Sequence, residues 1–163
     1  MKPCARAAAR CISLGALWLL GCTSAPQPSP AQTYPPTLQL KQLMEWVIDP
    51  AADVVWESVK TIMTEQGTKE IAPRTQEEWD AVRYAAALLA EAGSSLMMEG
   101  RARDRDGWMS AARRLTDAAQ AALDAAQAKD AAAVFAAGGR IYNACSGCHV
   151  RYAPQLNADA GPR

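Results

Sequence analysis

Val134, Gly138, Ile141, Cys145, Cys148 and Tyr152 follow one another at alternating steps of four and three. That period is one face of an α-helix, so the last part of the chain must bury a helical stripe against a partner element. Pro154 stops the pattern. Two of the stripe positions are cysteines, and directly behind the second stands His149, the one histidine among 163 residues. The stretch Cys145-Ser-Gly-Cys-His149 therefore lies on a helix, with Cys145 and His149 one turn apart and Cys148 beside them.

The preceding chain is expected to be helical throughout. Leu40, Leu43, Met44 and Val47 form an apolar stripe that resumes across Pro50 with Val54, Val55, Val59 and Ile62. Asp49-Pro50 can cap a new turn, so this first helix is expected to be kinked or broken there, and to end in a loop around Gly67 to Pro73. Thr75 to Glu78 forms a capping box for a second helix carrying Trp79, Val82, Ala86, Leu89 and Leu96 to about Glu99. A charged turn, Gly100 to Gly107, leads to an alanine-rich third helix from near Trp108 to about Ala128, and Lys129-Asp130 connects it to the fourth. Four helices joined by short turns predict an all-α fold, an antiparallel up-down-up-down four-helix bundle over residues 37–153.

Residues 1–21 read as an export signal. Lys2, Arg6 and Arg10 precede an apolar run from Ile12 to Leu20 that is far short of the roughly 20 residues of a membrane span. The ending Leu19-Leu20-Gly21-Cys22 resembles the lipobox of bacterial lipoproteins, which makes Cys22 the acylated first residue of the mature chain. Residues 22–36 contain five prolines and read as an extended tether, reaching about 40 Å at roughly 3.1 Å per residue. By resemblance to the lipoprotein sorting rule, Thr23 directs the chain to an outer membrane. The expected location is thus periplasmic, held to a membrane through lipid. Residues 154–163 read as a flexible tail. The 17 basic and 17 acidic residues turn mildly acidic once the signal is gone, which gives no sign of a nucleic-acid partner.

Cys4 and Cys11 leave with the signal and Cys22 carries lipid, so Cys145 and Cys148 are the thiols left to the folded part. A bridge between them would close too small a loop to staple anything. A thioredoxin-like pair belongs near a βαβ unit, and no strand pattern precedes this one. Zinc needs four ligands, and a second Cys or His pair is missing. What remains is covalent haem c. Two thiols add to the porphyrin vinyl groups, and the adjoining imidazole of His149 binds the iron from one face.

A single Cys-x-x-Cys-His near the C-terminus, on the last helix of a four-helix bundle and with an aromatic residue, Tyr152, three positions after the histidine, resembles the class II c-type cytochromes, the cytochrome c prime family. The specific motif of that resemblance is confined to Cys145 to Tyr152, and the lipobox with its tether and Pro50 in helix 1 depart from the family pattern. The resemblance implies one covalent haem with Tyr152 packing on it. With no second histidine, the other axial position is empty, wet or held by methionine. Met44, Met97, Met98 and Met109 fall at the expected haem end of the bundle. Low-spin members of the family take their methionine from a place in helix 1 similar to that of Met44. Met44 is therefore the expected distal ligand, with core packing as its competing role.

No triad, carboxylate pair or phosphate loop is visible, so an enzyme is not expected. The expected function is electron transfer by a tethered mono-haem cytochrome exchanging with redox partner proteins, a homodimer being compatible with it. The alternative is a five-coordinate binder of small gases such as nitric oxide. Arg101, Arg103 and Arg105 are expected in a solvated loop rather than against haem propionates. Trp46, Trp56, Trp79 and Trp108 are expected in the core. Gly138 and Gly139 mark a close approach of haem or of a neighbouring helix.

Overall fold

The computed structural model describes residues 35–155. The readings of residues 1–34 and 156–163, including Cys22, most of the tether and most of the tail, lie outside the described residues. The described chain is mostly helical, with one small two-stranded hairpin.

Helix α1, Leu40–Leu43, runs without a break through a π-helical turn, Met44–Ile48, into α2, Asp49–Ser58. Pro50 accounts for the wide turn. It has no N–H to donate and its ring crowds the carbonyl four residues back, so an α-helical ladder cannot cross it undisturbed. Here the Asp49 N–H donates to the Met44 carbonyl five residues back, and Pro50 then occupies the first turn of α2, where no donor is required. Of the expected kink or break, the break does not occur: the helix passes Pro50 through this turn.

The expectation of helix through Ile62 is corrected, although the mostly helical chain remains compatible with an all-α fold. Val59 is extended, with φ −137° and ψ 110°, and the chain enters a hairpin of β1, Lys60–Thr64, and β2, Gly67–Ile71. The strands pair antiparallel from Lys60 with Ile71 to Thr64 with Gly67. Thr61, Ile62 and Thr64 favour the pleated backbone, and Gly67 adopts φ +132°, a conformation that side chains rarely permit. Ile62, expected on the apolar stripe, is exposed, as is its neighbour Met63.

Helix α3, Gln76–Ser95, opens on the expected capping box: Thr75 Oγ1 accepts from the Glu78 N–H at 3.2 Å, and the Thr75 N–H donates to Glu78 Oε2 at 3.0 Å. Helix α4 spans Gly107–Gln127 and α5 spans Ala131–Tyr152, the latter capped by Asp130, whose carboxylate accepts from the Ala133 N–H at 2.9 Å. The core lies between these helices, with Leu89, Val82, Val55, Val134 and Ile141 fully buried at its centre. Alanines line much of α4 and let it approach α3 and α5 closely. Where α3 meets α4, a Cβ on Gly93 would stand 2.6 Å from Thr116 Oγ1 and 3.2 Å from its backbone nitrogen, so glycine permits the contact. Helix α3 packs on α4 and α4 on α5, while α2 packs on α3 and on α5. The Met44–Ile48 turn packs chiefly on α3, while α5 packs mainly on α4 and more lightly on α2.

Trp79 and Trp108 are buried as expected, but Trp46 is 61% exposed and does not belong to the core. Arg101 is also corrected. It is buried, not solvated, because its guanidinium turns inward to backbone carbonyls on two separate segments.

Candidate functional site

Cys145, Cys148 and His149 all stand on the last turns of α5, each half-buried, and neither cysteine is bridged. Cys145 belongs to the apolar face that packs on the core, as does Tyr152. Among the described residues no three His, Cys, Asp or Glu side chains gather as a metal site, so the donor set is the two thiols and the imidazole of one helix. That set does not suit zinc, which needs four ligands, and it fits a porphyrin bound through two thioethers with an iron that takes one imidazole.

The neighbours of α5 can be read residue by residue. Trp56 Nε1 donates to the Gly138 carbonyl at 3.0 Å, and a Cβ on Gly138 would stand 3.2 Å from the indole ring. The close approach expected at Gly138 is thus that of Trp56, while Gly139 faces nothing within 4 Å. Tyr142 meets the same indole edge-on, with ring centroids 6.4 Å apart. Gly138, Tyr142, Cys145 and His149 succeed one another at steps of four, three and four, so His149 continues the flank of α5 that faces α2.

The thiols report their surroundings. Burial, with smaller contributions from Cys148 and the Asp49 carboxylate, pushes Cys145 up to about 11. Cys148 is also raised by burial, opposed by Arg114 of α4. Both thiols are therefore protonated near neutrality, and they sit at the C-terminal end of a helix, where the macrodipole disfavours a thiolate. A thioredoxin-like pair needs the reverse: a low-pKa thiolate, typically at a helix N-terminus.

Asp49 lies seven residues before Trp56, and Cys145 seven after Gly138. The Trp56–Gly138 contact, with the Asp49 carboxylate acting on Cys145, is in keeping with α2 running antiparallel to α5. Met44 is half-buried and packs against the core, as do Met97 and Met109, whereas Met98 is among the more exposed apolar side chains.

Tyr152 has a partner that the sequence reading missed. Its hydroxyl donates to Asp104 Oδ2, and its ring meets Trp108 edge-on at 5.1 Å. Asp104 Oδ1 accepts from the Asp106 N–H at 3.0 Å and the Trp108 N–H at 2.9 Å, and Arg151 lies 3.6 Å from Oδ2. This carboxylate joins the start of α4 to the last turn of α5, just beyond His149. An aspartate four residues before a tryptophan at a helix start was a legible capping signal, but its tie to Tyr152 was not.

The Tyr152 hydroxyl, followed by the Trp108 N–H, holds the Asp104 carboxyl below its ordinary value of 3.8. A depressed carboxyl stabilises the fold above its unfolded pKa and loses that contribution as pH falls through its folded pKa. Tyr152→Phe is therefore expected to be less stable than the wild type above the ordinary carboxylate range, with the difference shrinking as pH falls through it. Urea unfolding at a series of pH values checks this, and a gap that stays constant with pH would count against it.

Among the described residues, one surface cavity lies between the α1 lead-in and the α3–α4 turn and another between α2, β2 and α3; neither is lined by Cys145, Cys148 or His149. Compared with family models, curated proteins and solved structures, the chain matches none, so the reading of its site stands on its own residues.

Proposed function

We propose that this protein is an exported mono-haem c-type cytochrome of the class II kind, working as an electron-transfer protein. The observation that carries the reading is the flank of α5 on which Gly138, Tyr142, Cys145 and His149 lie in line. Its first residues are keyed to α2 by Trp56, and an antiparallel register continued through the π turn would carry Met44 toward the level of His149. The pairing of α2 with α3 and α5, α3 with α4 and α4 with α5 supports an up-down-up-down bundle, with the hairpin as an appendage to the α2–α3 connection.

Haem iron, when bound, supplies one-electron exchange between ferrous and ferric states. Cys145 and Cys148 would hold the group covalently, and the imidazole of His149 and the thioether of Met44 would be its iron ligands. Tyr152, Asp104 and Trp108 hold the last turn of α5 and so limit movement of His149. Absorption spectra of the purified ferric and ferrous protein test the reading. Low-spin iron in both states is expected, with a weak far-red ferric band from methionine sulfur. A high-spin spectrum supports the second reading, a five-coordinate binder of small gases. The half-burial of Met44 against the core favours that alternative to the extent that the side chain is needed for packing.

The lipobox resemblance at Leu19 to Cys22 supports acylation of Cys22 and attachment to a membrane by lipid. Among the described residues no helix is long and apolar enough to cross a membrane. Cys22→Ala is expected to move the protein from the membrane fraction to a soluble or uncleaved form, and an unchanged membrane fraction would sink the anchor.

A further inference from the structure

The segment that leads into α1 and the turn after α3 enclose a cavity of about 380 Å³, with Pro36, Leu38, Gly100, Arg101 and Arg103 among its walls. Gly100 makes the turn at φ +87° and lies against the Pro36 ring, which brings Arg101 inward. Arg101 is 8% exposed and is the one buried charged side chain among the described residues. Its Nη1 donates to the Ser95 carbonyl at 3.3 Å and its Nη2 to the Leu38 carbonyl at 3.1 Å, while the buried Nε has no acceptor.

A guanidinium cannot shed its proton, so this buried group keeps a full positive charge. The Ser95 carbonyl, at the C-terminal end of α3, offers only a partial negative charge in return. Among the described residues no carboxylate forms an ion pair with Arg101 or with the more exposed Arg103. Two guanidinium groups thus line one polar cavity without a counter-charge, and one retains an unused donor. Planar guanidinium forks suit the oxygens of phosphate and carboxylate, and the two positive charges here match a doubly charged oxyanion.

We propose that this cavity binds a small phosphate-class dianion through Arg101 and Arg103. None of the lining residues comes from α5, which favours a freely diffusing anion over an acidic group fixed to that helix.

The test is calorimetric titration of the full chain, carrying its own cofactor, with inorganic phosphate and separately with acetate at matched ionic strength, alongside thermal unfolding in each. Phosphate is expected to bind saturably and raise the unfolding temperature, with acetate at least about tenfold weaker. Arg103→Gln, an exposed change that leaves the fold in place, is expected to weaken phosphate about tenfold, and Arg101→Gln to abolish binding. No phosphate response in the wild type overturns the proposal; a carboxylate of the cofactor already seated in the cavity would give that result. Equal binding of acetate overturns the dianion assignment. Should Arg101→Gln fail to fold, an unaltered phosphate affinity in Arg103→Gln still overturns the site.

Discussion

Replacing Met44 by leucine is expected to convert a low-spin protein into one that is high-spin in both oxidation states, while leaving the helices and the unfolding temperature nearly unchanged. Leucine keeps the volume of a half-buried side chain that packs on the core and removes only the sulfur, so the cost in stability stays under about 1.5 kcal/mol. Met44→Ala makes the same change in ligation with an added packing loss. Both variants should bind carbon monoxide much faster than the wild type. A sulfur that occupies the position ninety-nine parts in a hundred leaves about one in a hundred molecules open, so its removal is worth about a hundredfold. The reduction potential should fall as well, since a thioether favours ferrous iron. Leucine at Met97, Met98 or Met109 should leave the spectrum alone. A wild type that is already high-spin, and that neither substitution at Met44 alters, refutes the ligand role and shifts the reading to gas binding.

The second large effect concerns attachment. The wild-type polypeptide is expected to keep its haem through denaturing electrophoresis and through extraction with acidified organic solvent. The double substitution of Cys145 and Cys148 by alanine should release all of it, and each single substitution should weaken attachment. The thiols are half-buried, so the double variant loses about 1 kcal/mol per site in packing and should still be helical by circular dichroism. That separates loss of a bond from loss of the fold. Complete extraction of haem from the wild type would remove the basis of the assignment.

Features carried by neighbouring residues could be read from the chain. The capping box at Thr75 and Glu78 and the stripe on α5 are local patterns, and the structure holds them as expected. Cys145, Cys148 and His149 were legible for the same reason, being three side chains on a little over one turn. The hairpin was not. Val54, Val55, Val59 and Ile62 keep helical spacing, whereas Lys60–Thr64 is a short strand with four exposed residues after a half-buried first one, so it carries no alternation of apolar and polar positions. Arg101 was misread because its acceptor at Leu38 lies 63 residues away, and nothing in the charged run around it marks burial. Asp104 and Tyr152, 48 residues apart, were hidden in the same way. Trp46 was assigned to the core from its residue type, but the wide turn before Pro50 leaves it facing outward.

That wide turn also makes the Met44 position a matter of chain length. A regular α-helix advances about 100° per residue, and a π turn accommodates one residue more than an α-helical turn does. The phase of Met44 relative to the α2 face that seats Trp56 against Gly138 is therefore set by how many residues lie between them. Deleting one residue between Met44 and Asp49 would remove the residue that the wide turn accommodates and leave Met44 near its present phase, but it would force α-helical geometry across Pro50. Inserting one residue there, with the turn no wider, would instead swing Met44 by about 100° around the axis without touching Cys145, Cys148 or His149.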